Sequence, residues 1–155
     1  MRRAAIVSLL FLTFCASRGP TQGPAVPGQG AIQIQIAPNP ILATRVGGET
    51  YDFPFEVVIR ETGGRPVTIN RVSADVRALG GIRVGSESYD ATKIASLGYS
   101  TTVAPYGELR YRFNPRRSVG DDRLFGSVSA EIRVEGRDDQ GIAATAGTTV
   151  TVRRG

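Results

Sequence analysis

From residue 31 onward, apolar side chains recur at every second position, and that period decides the fold class before any single residue does. In AIQIQI, Ile32, Ile34 and Ile36 share one face of an extended backbone while Gln33 and Gln35 take the other. Strands alternate faces in this way, whereas a helix would spread the same residues around its circumference. The alternation returns in YDFPFEVVIR, where Tyr51, Phe53, Phe55, Val57 and Ile59 make the most apolar strand face in the chain. ELRYRF repeats it with Leu109, Tyr111 and Phe113, SVSAEIRVE with Val128, Ala130, Ile132 and Val134, and the final run with Val150 and Val152. TGGRP and GRDDQG supply turn residues between the runs. No stretch in this range reads as an amphipathic helix.

Three places break the regularity. In PVTINRVSADV the apolar phase slips from Val67 and Ile69 to Val72, Ala74 and Val76, which predicts a β-bulge near Asn70 and Arg71. Between 78 and 107 glycines interrupt the pattern, leaving short strands near Ile82 to Val84 and Tyr99 to Val103. Pro54 sits inside the strongest strand, where it cannot donate to a ladder; either pairing has a gap there or the strand starts later.

About seven alternating strands in residues 31–155, with turns between them, predict an all-β domain: an antiparallel two-sheet sandwich. Its 125 residues are enough for a real core. The run TTVAPYGELRYRF, then SVSAEIRVEGRDDQG, then TVTV resembles the E, F and G strands of bacterial immunoglobulin-like domains of the fibronectin type III and cell-adhesion-related kind. The resemblance spans roughly residues 50–153 and implies an interaction module of a bacterial surface. It departs from antibody-type domains, since the region has neither a Cys pair nor a Trp.

The N-terminus carries an address. Arg2 and Arg3 precede an eleven-residue apolar core, Ala4 to Phe14, which is the form of a secretory signal. At helical rise that core reaches about 17 Å, too short for the ~30 Å of a bilayer interior. Cys15, the only cysteine, follows at once, and residues 1–15 resemble a bacterial lipoprotein signal in which this cysteine receives the lipid. Leu12 and Thr13 fit that pattern, and Phe14, where a small residue is usual, departs from it. Cleavage after Ser17 by the general signal peptidase, with Cys15 and Ser17 as the small pair of an A-x-A-like site, is the competing reading, and Cys15 as an incidental small apolar residue of the signal is a third. Residues 16–30 hold four glycines and three prolines and read as a flexible tether.

The chemistry is bounded by absences. The chain has no histidine, and the domain no thiol, so Ser-His and Cys-His nucleophile pairs and the usual zinc ligands are missing. A Ser-Lys pair would need Lys93 with Ser88 or Ser96, at spacings that carry no signature. Asp121 with Asp122, and Asp138 with Asp139, are weak calcium candidates that would need their two loops to meet; acids beside glycine more often form turns. Arg110, Arg112, Arg116 and Arg117 form the densest basic cluster, a candidate anion-binding surface. Cross-strand pairing with Asp52 and Glu56 would neutralise much of it. Eighteen arginines stand against one lysine, but acids are interspersed and removing residues 1–14 leaves a net charge of only +3, so nucleic acid is not the expected partner.

The expectation is an exported, lipid-anchored, non-catalytic interaction or structural module of a bacterial cell envelope, without cofactor. Its partner is an envelope protein or polymer, and the membrane itself if Cys15 is modified. The alternatives are a carboxylate-dependent glycan hydrolase and an accessory subunit of an envelope complex.

Overall fold

A computed structural model describes residues 26–155, apart from the side chains of Asp122 and Leu124. The apolar leader, Cys15 and residues 16–25 of the expected tether lie outside the described residues. The chain forms β1 (Ile32–Ala37), β2 (Ile41–Gly47), β3 (Thr50–Asp52) and β4 (Phe55–Glu61). A hairpin of β5 (Val67–Arg77) and β6 (Arg83–Asp90) follows, then a short helix α1 (Ala91–Ser96) and the two-residue β7 (Thr102–Val103). β8 (Glu108–Phe113), β9 (Arg116–Ser118), β10 (Ser129–Asp138) and β11 (Ala143–Arg154) complete it.

These strands make the expected all-β, two-sheet arrangement. One sheet has the order β1-β4-β8; the other runs β6-β5-β10-β11-β2-β3-β9, with β7 on β5. Pairing is antiparallel throughout except between β11 and β2, which run parallel with Val152 opposite Ile41. Ile32, Ile34 and Ile36 of β1, Val57 and Ile59 of β4, Tyr111 and Phe113 of β8, and Ile132 and Val134 of β10 all point into one core, as their alternation requires. Among the described residues no helix is long and apolar enough to cross a membrane.

The anticipated bulge is present. Glu135 faces Arg71 and the next residue, Gly136, faces Ile69, so Asn70 is the extra residue on β5. It turns the strand so that Val67, Ile69 and Val72 are all buried. A side chain on Gly136 would start 2.7 Å from the Thr68 carbonyl oxygen, so only glycine admits this approach.

The strand drawn from residue 51 to 60 is corrected to two. β3 ends at Asp52 in the large sheet, and β4 starts at Phe55 in the small one. Pro54 lies at the corner between them, which resolves its place: the strand starts later, and the missing N–H falls between the ladders. Asn114 and Pro115 make the same crossing between β8 and β9, and Phe53 N–H donates to the Pro115 carbonyl at 3.0 Å, so the two-stranded ribbon turns the corner intact. Pro38 and Pro40 mark the third corner, from β1 to β2.

Other expectations also change. β2 and β9 were not anticipated, and β6 is eight residues long, not a short strand at 82–84. The expected strand at 99–103 shrinks to β7. A helix does exist: α1 is capped by Asp90, whose carboxylate accepts the Lys93 N–H at 2.8 Å, and it buries only Ile94.

Candidate functional site

Three of the four candidate arginines, Arg110, Arg112 and Arg116, pair with acids of the neighbouring strands, and their charge is largely spent. β8 lies beside β4 with Glu56 opposite Arg112 and Val58 opposite Arg110. The Glu56 carboxylate therefore accepts from Arg110 at 3.0 Å and from Arg112 at 2.9 Å. Glu108 bridges Arg110 and Arg60 at 2.6 Å each, extending the ladder along the outer face. Arg116 grips Asp52 at 2.6 and 3.0 Å. The Arg112 guanidinium holds Glu56 below the ordinary carboxylate range, Arg60 does so for Glu108, and Arg116 for Asp52. Each of these pairs is exposed and contributes little stability, but together they leave the face a mosaic of alternating sign.

Arg117 points elsewhere. It pairs with Glu87 of β6, although β9 and β6 are the two ends of the large sheet. The sheet therefore curls until its ends face one another.

The paired aspartates do not converge. Asp138 is the last residue of β10 and Asp121 precedes its other end, and the strand's ten residues span roughly 30 Å at strand rise, so the two loops share no ion. The Asp121 carboxylate accepts the Arg123 N–H at 2.9 Å, a turn role, and the Asp122 side chain lies outside the described residues. Asp139 pairs with Arg65 at 3.0 Å. Lys93 directs its ammonium to Glu87 at 3.2 Å and lies over the Tyr89 ring at 4.3 Å, while Ser96 donates to the Lys93 carbonyl; the Ser-Lys reading has no geometric support.

Sequence reasoning missed what Glu61 and Asp138 do. Glu61, 3% exposed, accepts four backbone N–H groups: Ala31 at 3.1 Å, Gly63 at 2.7 Å, Gly64 at 2.9 Å and Tyr106 at 2.9 Å. Asp138, also buried, accepts Gly30 at 3.1 Å, Gln140 at 3.0 Å and Ile142 at 2.8 Å. Successive amides at 30 and 31 are thus clamped by two carboxylates where the chain enters the sandwich. Burial pushes the Glu61 carboxyl up, but its donors together outweigh this and hold it below the ordinary range. For Asp138 the Gly30 amide leads the same downward shift. The signal lay in Glu61-Thr62-Gly63-Gly64: a side chain on Gly63 would start 1.8 Å from the Gln29 carbonyl oxygen, so the glycine marks a close backbone approach.

What remains unspent is the free end of the large sheet. Among the described residues β6 pairs on one side only, with β5. The hairpin tip beside it exposes Leu79 (79%), Ile82 (66%) and Val84 (50%), three large apolar side chains within six residues.

No family model matches the chain, and no curated protein matches it in sequence. Among solved structures it is similar to a Bordetella pertussis protein assigned as ApaA, with a TM-score of 0.57 and 12% identity, covering 85% of this chain and all (100%) of that one. It is also similar to a structural-genomics target solved by X-ray crystallography, with a TM-score of 0.53 and 9% identity over 83% of this chain and 90% of that one. At such identities the likeness is one of fold.

Proposed function

We propose that this chain is an exported, lipid-anchored, immunoglobulin-like module of a bacterial envelope, which binds a protein partner through the β5–β6 hairpin and does no chemistry of its own. The observation that carries the reading is the open edge of β6 with Leu79, Ile82 and Val84 exposed beside it. An unpaired edge next to apolar side chains suits contact with another protein chain. The arginine face suits a polymer less well, because Glu56, Glu108 and Asp52 already answer its cations.

The strand order supports the immunoglobulin-like part of the reading. β1, β4 and β8 correspond to strands A, B and E of one sheet, and β6, β5, β10 and β11 to C′, C, F and G of the other. β8, β10 and β11 are the segments in which the resemblance to E, F and G was read. Against a glycan hydrolase stands the direction of the carboxylate shifts. A general acid needs a raised value, and Asp52, Glu56, Glu61, Glu108 and Asp138, each held low by guanidinium or amide donors, are not suited to that role.

Two experiments test the proposal. Cys15→Ser abolishes incorporation of labelled palmitate and releases the protein from membranes. A wild-type chain that takes up no label, with a mature N-terminus at Arg18, overturns the anchor. For the contact, the double variant Leu79→Asp, Ile82→Asp loses an envelope protein that co-purifies with the wild type, while Arg110→Ala with Arg112→Ala retains it. The reverse pattern moves the contact to the arginine face.

A further inference from the structure

The curl of the large sheet encloses a cavity of about 270 Å³ between β6 and β9. It exceeds the ~150 Å³ apolar cavity that admits benzene and approaches the lower end of ligand pockets, about 300 Å³. Phe125, Ile41, Ile132 and Val152 form part of its wall, and all four are core residues. Protein interiors are packed without voids of this size, so an apolar space of this volume is a place for an occupant.

The mouth says which. Glu87 and Arg117 are the only charged residues among the described ones that line the cavity, and they pair across it. Glu87 also holds Lys93 at 3.2 Å, so two cations stand against one carboxylate. An anion that draws Arg117 away leaves Glu87 still partnered. A cation finds Glu87 already doubly engaged, and a neutral molecule leaves the Arg117–Glu87 pair as it is and gains nothing from it.

We infer that this cavity is a binding site for an apolar monocarboxylate of medium chain length, its hydrocarbon between the sheets and its carboxylate on Arg117. The site adjoins the hairpin contact proposed above at Val84, which also lines the cavity, and it involves no bond making or breaking.

The test titrates the purified protein with decanoate, decanol and decyltrimethylammonium, followed by calorimetry and by the shift in melting temperature. Decanoate binds saturably with one-to-one stoichiometry and more tightly than either of the others. Arg117→Gln, at an exposed position, weakens decanoate by about tenfold, the loss of one charge-assisted contact, and leaves decanol unchanged. Ala74→Phe, which projects into the cavity from a half-buried position, removes binding of both. If that variant does not melt cooperatively, Ser118→Trp at the exposed rim takes its place. Decanoate that binds no better than the quaternary ammonium, an unchanged decanoate affinity in Arg117→Gln, or binding that survives filling of the cavity overturns the inference.

Discussion

Phe55→Ala lowers the unfolding free energy by roughly 3–5 kcal/mol, the usual cost of truncating a buried phenylalanine. The ring is 7% exposed, packs 5.5 Å from the Phe113 ring between centroids, and stands at the first residue of β4 after the Pro54 corner. Glu56→Ala, one residue on, removes the exposed pairs with Arg110 and Arg112 and costs a small fraction of that. Urea melts of the two variants, fitted with a common slope, make the comparison. Equal losses at 55 and 56 would mean that β4 does not have the register drawn, because the two side chains would then share an environment.

Glu61→Ala costs a comparable amount, roughly 3–5 kcal/mol, by a different route. It strands four backbone donors where the chain enters the sandwich, one buried and three partly buried; a buried unsatisfied amide carries a penalty of about 1–3 kcal/mol, and water reaching the partly buried ones relieves some of it. Glu61→Gln keeps the shape and loses the charge, so it falls between. The pH profile separates this role from simple packing. Glu61 has a folded-state value below its unfolded one, because the effect of burial is outweighed by its four amide donors. Its contribution is therefore fully present above the unfolded value and is lost as pH falls through the folded one. Asp138, Asp52, Glu56 and Glu108 are shifted the same way and steepen the same acid limb. Wild-type stability thus declines as pH drops below about 4, and Glu61→Gln shows a shallower decline. Parallel profiles for the two proteins would remove the carboxylate from the account.

The legible parts of the fold were those whose own alternation decides which face is buried. Ile32, Ile34 and Ile36, or Ile132 and Val134, need no neighbour to declare it, and the slip at Asn70 was readable because it breaks an established phase. β2 and β6 were opaque for the opposite reason. Only Ile41 and Ala43 of β2 are buried, and β6 buries Tyr89 alone among eight residues, so their strand character comes from the partners they pair with. α1 carried a readable cap at Asp90 but only one buried residue, too few for a helical period. For the site, the neutralising partners of the arginine cluster were visible as outward residues of a neighbouring strand. Arg117 was not, because its contact with Glu87 depends on the curl of a whole sheet.

The parallel run of β2 beside β11 also sets how the molecule carries load. The N-terminal side of the chain reaches β2 through β1, and the C-terminus leaves from the far end of β11, while three register pairs, Val152–Ile41, Arg153–Leu42 and Arg154–Ala43, join the two strands. Once tension on the two ends has drawn β1 from its six pairs with β4, it drags β2 and β11 past each other in opposite directions along their length. The hydrogen bonds between them then bear the force together, in shear, and none can be peeled open ahead of the next. Resistance to pulling is thus concentrated in a patch of a few residues next to the C-terminus, and it is set by the rate at which that patch ruptures, not by the equilibrium stability of the whole domain.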